Sequence, residues 1–117
     1  MPGENFNLEN DEEILKINSP KSQLEGPYTV VYKDIIERWA IVAFNWDEVP
    51  CLGIRWFWSS KGNPVSTGYP TWFVIPSTLS NSILNGLPLD FQFRNELNRF
   101  LAGEINGEQL KKKGENQ

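Results

Sequence analysis

Few residues of this chain have side chains suited to chemistry, and they are scattered. Arg55 stands inside an otherwise apolar run, Cys51-Leu-Gly-Ile-Arg-Trp-Phe-Trp58. A guanidinium there can pair with Glu37 or Asp34 across a hairpin, mark an exposed sheet face, or serve a ligand pocket together with those carboxylates. Asp47 and Glu48 are adjacent acids in a turn. They suit the lysines and arginines of a partner better than acid–base chemistry, because an exposed turn has no burial to raise a carboxyl pKa. Cys51 is the only cysteine, and there is no histidine. A serine or cysteine nucleophile needs a nearby base to take its proton, and a lone cysteine beside Pro50 at the start of a strand reads as a small core residue. Metal-ligand spacings, a Gly-rich phosphate loop and a nucleophile elbow are all missing from the sequence. The residues point to no catalytic group, no metal and no cofactor.

The segment Ser59 to Pro70 (SSKGNPVSTGYP) offers recognition chemistry instead. It carries Lys61, Asn63, Ser66, Thr67 and Tyr69 and is bracketed by Trp58 and Trp72. Tyrosine and tryptophan give rigid contact area, and the hydroxyl and amide side chains give adaptable hydrogen bonds. A long strand connection with its tryptophans turned inward reads equally well from the same residues. All five tryptophans lie between Trp39 and Trp72, and most of them belong to the core, with an edge or two left at the surface.

The elements that must position these residues follow from periodicity. Tyr28-Thr-Val-Val-Tyr32 is a strand by its β-branched and aromatic content. From Glu37 to Trp46 both alternating sets are apolar, Trp39/Ile41/Ala43 and Val42/Phe44/Trp46, which predicts a strand covered on both faces. Asp47 to Pro50 is a polar turn, and Cys51 to Trp58 is the return strand. There Leu52, Ile54, Trp56 and Trp58 share one face, and Cys51, Gly53, Arg55 and Phe57 the other. Thr71 to Ile75 is a further strand. The period then changes. Ser77 is placed to cap a helix ending at Gly86, and Pro88 blocks its continuation. Asp90 caps a second helix, with Phe93, Leu97, Phe100 and Leu101 at helical spacing and Gly103 after its end. Residues 14–27 are a short turn or an arm against the domain, and Asn106 to Lys113 adds one frayed turn. Strands bunched before helices give α+β: an antiparallel sheet of about four strands with two C-terminal helices on one face.

At 117 residues the chain is one domain, read as 14–110. Residues 1–13 carry five acids and no base and are expected to be a disordered tail; residues 111–117 are read as a flexible tail. Between them nine acids face eight bases, so the net charge of −4 sits almost wholly in the tails. A near-neutral domain lacks the basic stripe of a nucleic-acid binder. No apolar run is long enough to span a bilayer, and the N-terminus has neither the basic nor the apolar region of a signal peptide. With a single cysteine, the expectation is a reducing cytoplasm.

Five stretches carry a resemblance: Trp39-Ala-Ile-Val-Ala-Phe, Leu52-Gly-Ile-Arg-Trp-Phe, Pro70-Thr-Trp-Phe-Val-Ile-Pro, Ile83-Leu-Asn-Gly-Leu-Pro-Leu and Asn98-Arg-Phe-Leu-Ala-Gly-Glu-Ile. Together they resemble the immunity proteins of bacterial contact-dependent growth inhibition. The resemblance implies a non-enzymatic inhibitor that binds a cognate toxin domain, often a nuclease, and blocks its active site. The residues expected at such an interface are Asp34, Asp47, Glu48, Trp58, Lys61 and Tyr69, with acids meeting the toxin's bases and aromatics as anchors. A ligand pocket built on Arg55 under the 59–70 loop, or a homo-oligomeric subunit, are the alternatives.

Overall fold

The computed structural model describes residues 6–115. Its centre is the strand Trp39–Trp46 (β2), which pairs antiparallel with Leu24–Asp34 (β1) on one side and Val49–Trp56 (β3) on the other. Phe73–Ile75 (β6) completes the sheet against β3, in the order β1-β2-β3-β6. The fold is α+β, as the element order predicts.

Both faces of β2 are buried, and each is covered by different parts of the chain. Ile41, Ala43, Leu52 and Ile75 face the C-terminal helices Ser77–Gly86 (α2), Phe91–Leu101 (α3) and Gly107–Glu115 (α4), which contribute Leu84, Leu97, Phe100 and Leu110. Ala40, Val42, Phe44, Cys51 and Phe57 face the other way, onto Leu8, Ile14, Ile17 and Trp72. β1 changes face by a bulge: its register slips between Val30 and Tyr32, so Val31 and Tyr32 both turn to the helices.

This second layer corrects the N-terminal reading. Residues 1–5 lie outside the described residues, but from Phe6 onward the segment expected as a tail is packed. Leu8 is buried, Asn10 caps the short helix Asp11–Leu15 (α1) through Glu12 N–H, and Lys33 Nζ bonds Asp11 at 2.7 Å. A sheet apolar on both faces needs a cover on each, and the acids of this arm point outward while Leu8, Ile14 and Ile17 supply that cover. The C-terminal tail is corrected in part as well. Residues 111–115 continue α4, and Lys113 reaches the buried carboxylate of Glu96 at 3.6 Å.

Local signals fared unevenly. Asp90 accepts Phe93 N–H at 3.1 Å and starts α3, and Gly103 follows its end at φ +80°. Ser77 is not a cap: Pro76 holds that position, without a side-chain bond, and Gly86 is the last helical residue rather than the stop. Three expected strands also shift. β1 begins at Leu24, β3 runs Val49–Trp56 rather than Cys51 to Trp58, and β6 starts only at Phe73.

Candidate functional site

Arg55 is fully buried on the face away from the C-terminal helices. Its Nη1 donates to Pro64 O at 3.1 Å and to Thr71 O, and its Nη2 donates to Lys61 O. The guanidinium carbon lies 5.0 Å from the Phe57 ring centre and 5.9 Å from that of Phe6. Neither Glu37 nor Asp34 is among its partners, which corrects the expected cross-strand ion pair. Glu37 is exposed, and the Asp34 carboxylate already accepts Glu37 N–H at 2.8 Å. Burial pulls the Arg55 pKa down to about 10, which still leaves it charged at neutral pH. A buried guanidinium whose two terminal nitrogens bond backbone carbonyls alone is a clamp on the backbone that carries them.

That backbone is the 57–71 loop. Within it Trp56 and Asn63 exchange backbone hydrogen bonds at 2.8 and 3.0 Å, and Thr71 N–H reaches Pro64 O at 3.2 Å. Val65–Ser66 (β4) and Tyr69–Pro70 (β5) form a small hairpin, so the segment is not structureless. Gly62 sits at φ +69° beneath the guanidinium, where a Cβ would collide with Arg55 and the Trp56 carbonyl. The loop is also tied to the N-terminal arm. Thr71 Oγ1 donates to Ser19 O at 2.6 Å, and Trp72 Nε1 to Ile17 O at 2.8 Å.

What the clamped loop displays is aromatic and polar. Trp58 is 51% and Tyr69 64% exposed, and Lys61 is exposed with them. Trp72 by contrast is buried. The β1–β2 turn joins this end of the sheet, since Arg38 Nε donates to Phe57 O at 2.9 Å. That turn carries Ile36 at 83% exposure, a residue the sequence reading passed over. Its signal was legible: two isoleucines inside a polar turn, with no strand or helix period to bury them.

The six residues expected at an interface do not converge on one patch. Asp34, Trp58 and Lys61 lie at the end of the sheet where Trp39 pairs with Trp56, and Tyr69 stands on the hairpin of the same loop. Asp47 and Glu48 form the β2–β3 turn at the opposite end, beyond the Trp46–Val49 pair. The length of β2 separates the two groups, about 23 Å at a strand's rise per residue. Both turn residues have positive φ, 49° and 70°. This left-handed geometry suits a two-residue hairpin but normally calls for Asn and Gly. Asp47 N–H anchors the turn on Gln23 O at 2.7 Å.

Cys51 is buried, and desolvation pushes its thiol up to about 12, far from a reactive thiolate. Among the described residues no group of three or more His, Cys, Asp or Glu side chains is placed to hold a metal ion, and no helix is long and apolar enough to cross a membrane. Compared with protein-family models, curated proteins and solved structures, the chain has no significant match.

Proposed function

We propose that this chain is a protein-binding inhibitor of the immunity type, which occludes the active site of a cognate bacterial toxin domain in the cytoplasm. The observation that carries the reading is the Arg55 clamp. A loop rich in Gly, Pro and Ser is tied by three backbone carbonyls to one buried guanidinium, and it holds Trp58, Lys61 and Tyr69 outward. Fixing a loop before binding removes the ordering cost that a flexible loop would incur on association. Exposed aromatics on a rigid frame are the usual anchors of such interfaces. The strained Asp47–Glu48 turn supports an electrostatic role at the far end. Two acids stand where Asn-Gly would carry less strain, and they offer two negative charges to a basic partner surface.

The test is co-purification with the toxic C-terminal domain of an exoprotein encoded beside this chain, together with protection of cells that express that domain. Trp58→Ala with Tyr69→Ala is expected to abolish both. Absence of any such neighbouring exoprotein, or protection undiminished in the double variant, counts against the reading.

One observation favours a second reading. One of the two edges of the sheet, the three-residue strand β6, carries Phe73 and Val74 at 46% and 40% exposure with no charged residue in the strand. Edges of this kind pair with other chains. A homodimer through β6 would show as a mass that doubles with concentration in light scattering.

A further inference from the structure

A cleft of about 740 Å³ opens between α2 and α3 beside Pro50. Its walls are polar and regular. Ser77, Asn81 and Asn85 recur every fourth residue along α2, and Asn95 and Asn98 face them from α3. The walls are held in place. Leu84 and Leu97 are buried between the helices and the sheet. Arg94 ties the connection, donating at 3.1 Å to Leu84 O, Leu87 O and Leu89 O.

None of the four asparagine side chains bonds another protein group. The side-chain hydrogen bonds among the described residues include none from Asn81, Asn85, Asn95 or Asn98, and Asn81, Asn85 and Asn95 are open to solvent. Asn18 and Asn63 share this state, while Asn7, Asn10, Asn45 and Asn106 bond within the fold. Asparagine is a poor residue for a helix interior, because its amide competes with the backbone. Four of them turned to one cleft, and unused by the fold, form a local choice that folding does not explain.

We propose that this cleft binds an extended polypeptide segment of a partner through its main chain. A carboxamide carries a donor and an acceptor side by side, as a peptide unit does, so each asparagine can satisfy both groups of one unit. Residues four apart on a helix rise about 6.0 Å, and alternate residues of an extended strand advance about 6.6 Å. Asn81 and Asn85 therefore match successive outward-facing units of one strand. The cleft holds no aromatic ring on which a sugar or a base would stack. Its charge is balanced within it, because Arg99 pairs with Glu104 at 3.4 Å and Glu96 at 3.2 Å. Beyond the Pro50 end, Glu104 and Glu48 both line the neighbouring hollow, which favours a basic side chain on the bound segment there. The proposal goes beyond the inhibitor reading and does not depend on the loop end of the molecule.

The experiment uses the whole chain, labelled for ¹H–¹⁵N spectra, and two probes. One is the blocked pentapeptide acetyl-Val-Thr-Lys-Thr-Val-amide, and the other is the same peptide N-methylated at alternate residues. The first is expected to shift the side-chain amide signals of Asn81, Asn85, Asn95 and Asn98 at millimolar concentration, and the second to leave them in place. Asn85→Ala with Asn95→Ala is expected to weaken binding about tenfold or more, the loss of one or two hydrogen-bonded pairs. The same variant should melt no lower than the parent, because alanine is the better helix former. Equal shifts from both peptides, no shift of these amides, shifts from maltotriose or adenosine in place of the peptide, or a lowered melting temperature of the variant would each overturn the proposal.

Discussion

Replacing Arg55 by methionine tests the clamp directly. The side chain donates to three carbonyls, those of Lys61, Pro64 and Thr71. Hydrogen bonds from a charged donor contribute about 1.5–3 kcal/mol each, so the gross loss is about 5–9 kcal/mol. Against it stands the desolvation of the guanidinium, several kcal/mol that methionine does not incur. The Nε group, buried without a partner, adds to that cost in the parent. Methionine also keeps the apolar contact with Phe57. The net destabilisation is about 2–4 kcal/mol. At ~2.1 cal/mol/K per residue, 117 residues give an unfolding entropy of about 0.25 kcal/mol/K, so the melting temperature should fall by about 8–16 °C. Thermal melts followed by circular dichroism read this, and hydrogen exchange locates it. The amides of Asn63 and Thr71, which bond Trp56 O and Pro64 O, should exchange at least about tenfold faster, while those of β2 follow the global change alone. A fall below about 4 °C with Asn63 and Thr71 still protected would mean that desolvation cancels the bonds and that something else holds the loop.

Other substitutions probe single features. Glu48→Gly should stabilise the chain by about 1 kcal/mol in denaturant melts, since Glu48 sits at φ +70°, and it should slow association with the partner at low salt. Asp90→Ala removes the cap on Phe93 N–H and should cost about 1 kcal/mol. Gly53→Ala drives a Cβ into the Phe44 ring and against Trp72, so about 1–3 kcal/mol should be lost to overpacking. Cys51 and Tyr28 are both raised to about 12 in the folded chain, from 9.0 and 10.0, chiefly by desolvation. The folded state therefore keeps protons that the unfolded state releases. Stability from both groups is whole below about pH 9 and drains away as pH climbs toward 12, and Cys51→Ala with Tyr28→Phe should flatten that decline in urea titrations.

Period and capping made much of the fold legible. The double apolar alternation of Trp39 to Trp46 announced a strand buried on both sides, and the spacing of Phe93, Leu97 and Phe100 behind Asp90 announced α3. That same double alternation requires two covers. The C-terminal helices can cover only one face, so another part of the chain had to cover the second. Leu8 is obscured by the acids around it, whereas Ile14 and Ile17 fall in the segment read as an arm against the domain, and an inward Trp72 is one of two equal readings of its loop. Arg55 misled for a related reason. A guanidinium looks for carboxylates in a sequence, yet a loop without regular structure offers free carbonyls, and those are invisible until the chain folds back. The candidate interface was legible only as residue types. Trp58, Lys61 and Tyr69 do stand outward, but nothing in their spacing told that Asp47 and Glu48 would lie a strand's length away.

Backbone ¹⁵N relaxation on the free chain addresses the preorganised loop most directly. With Arg55 in place, Lys61, Asn63, Val65 and Thr71 should show order parameters close to those of β2, about 0.85. Values below about 0.6 across these residues would describe a loop that is ordered only by a partner, and the clamp would then not be what presents Trp58 and Tyr69.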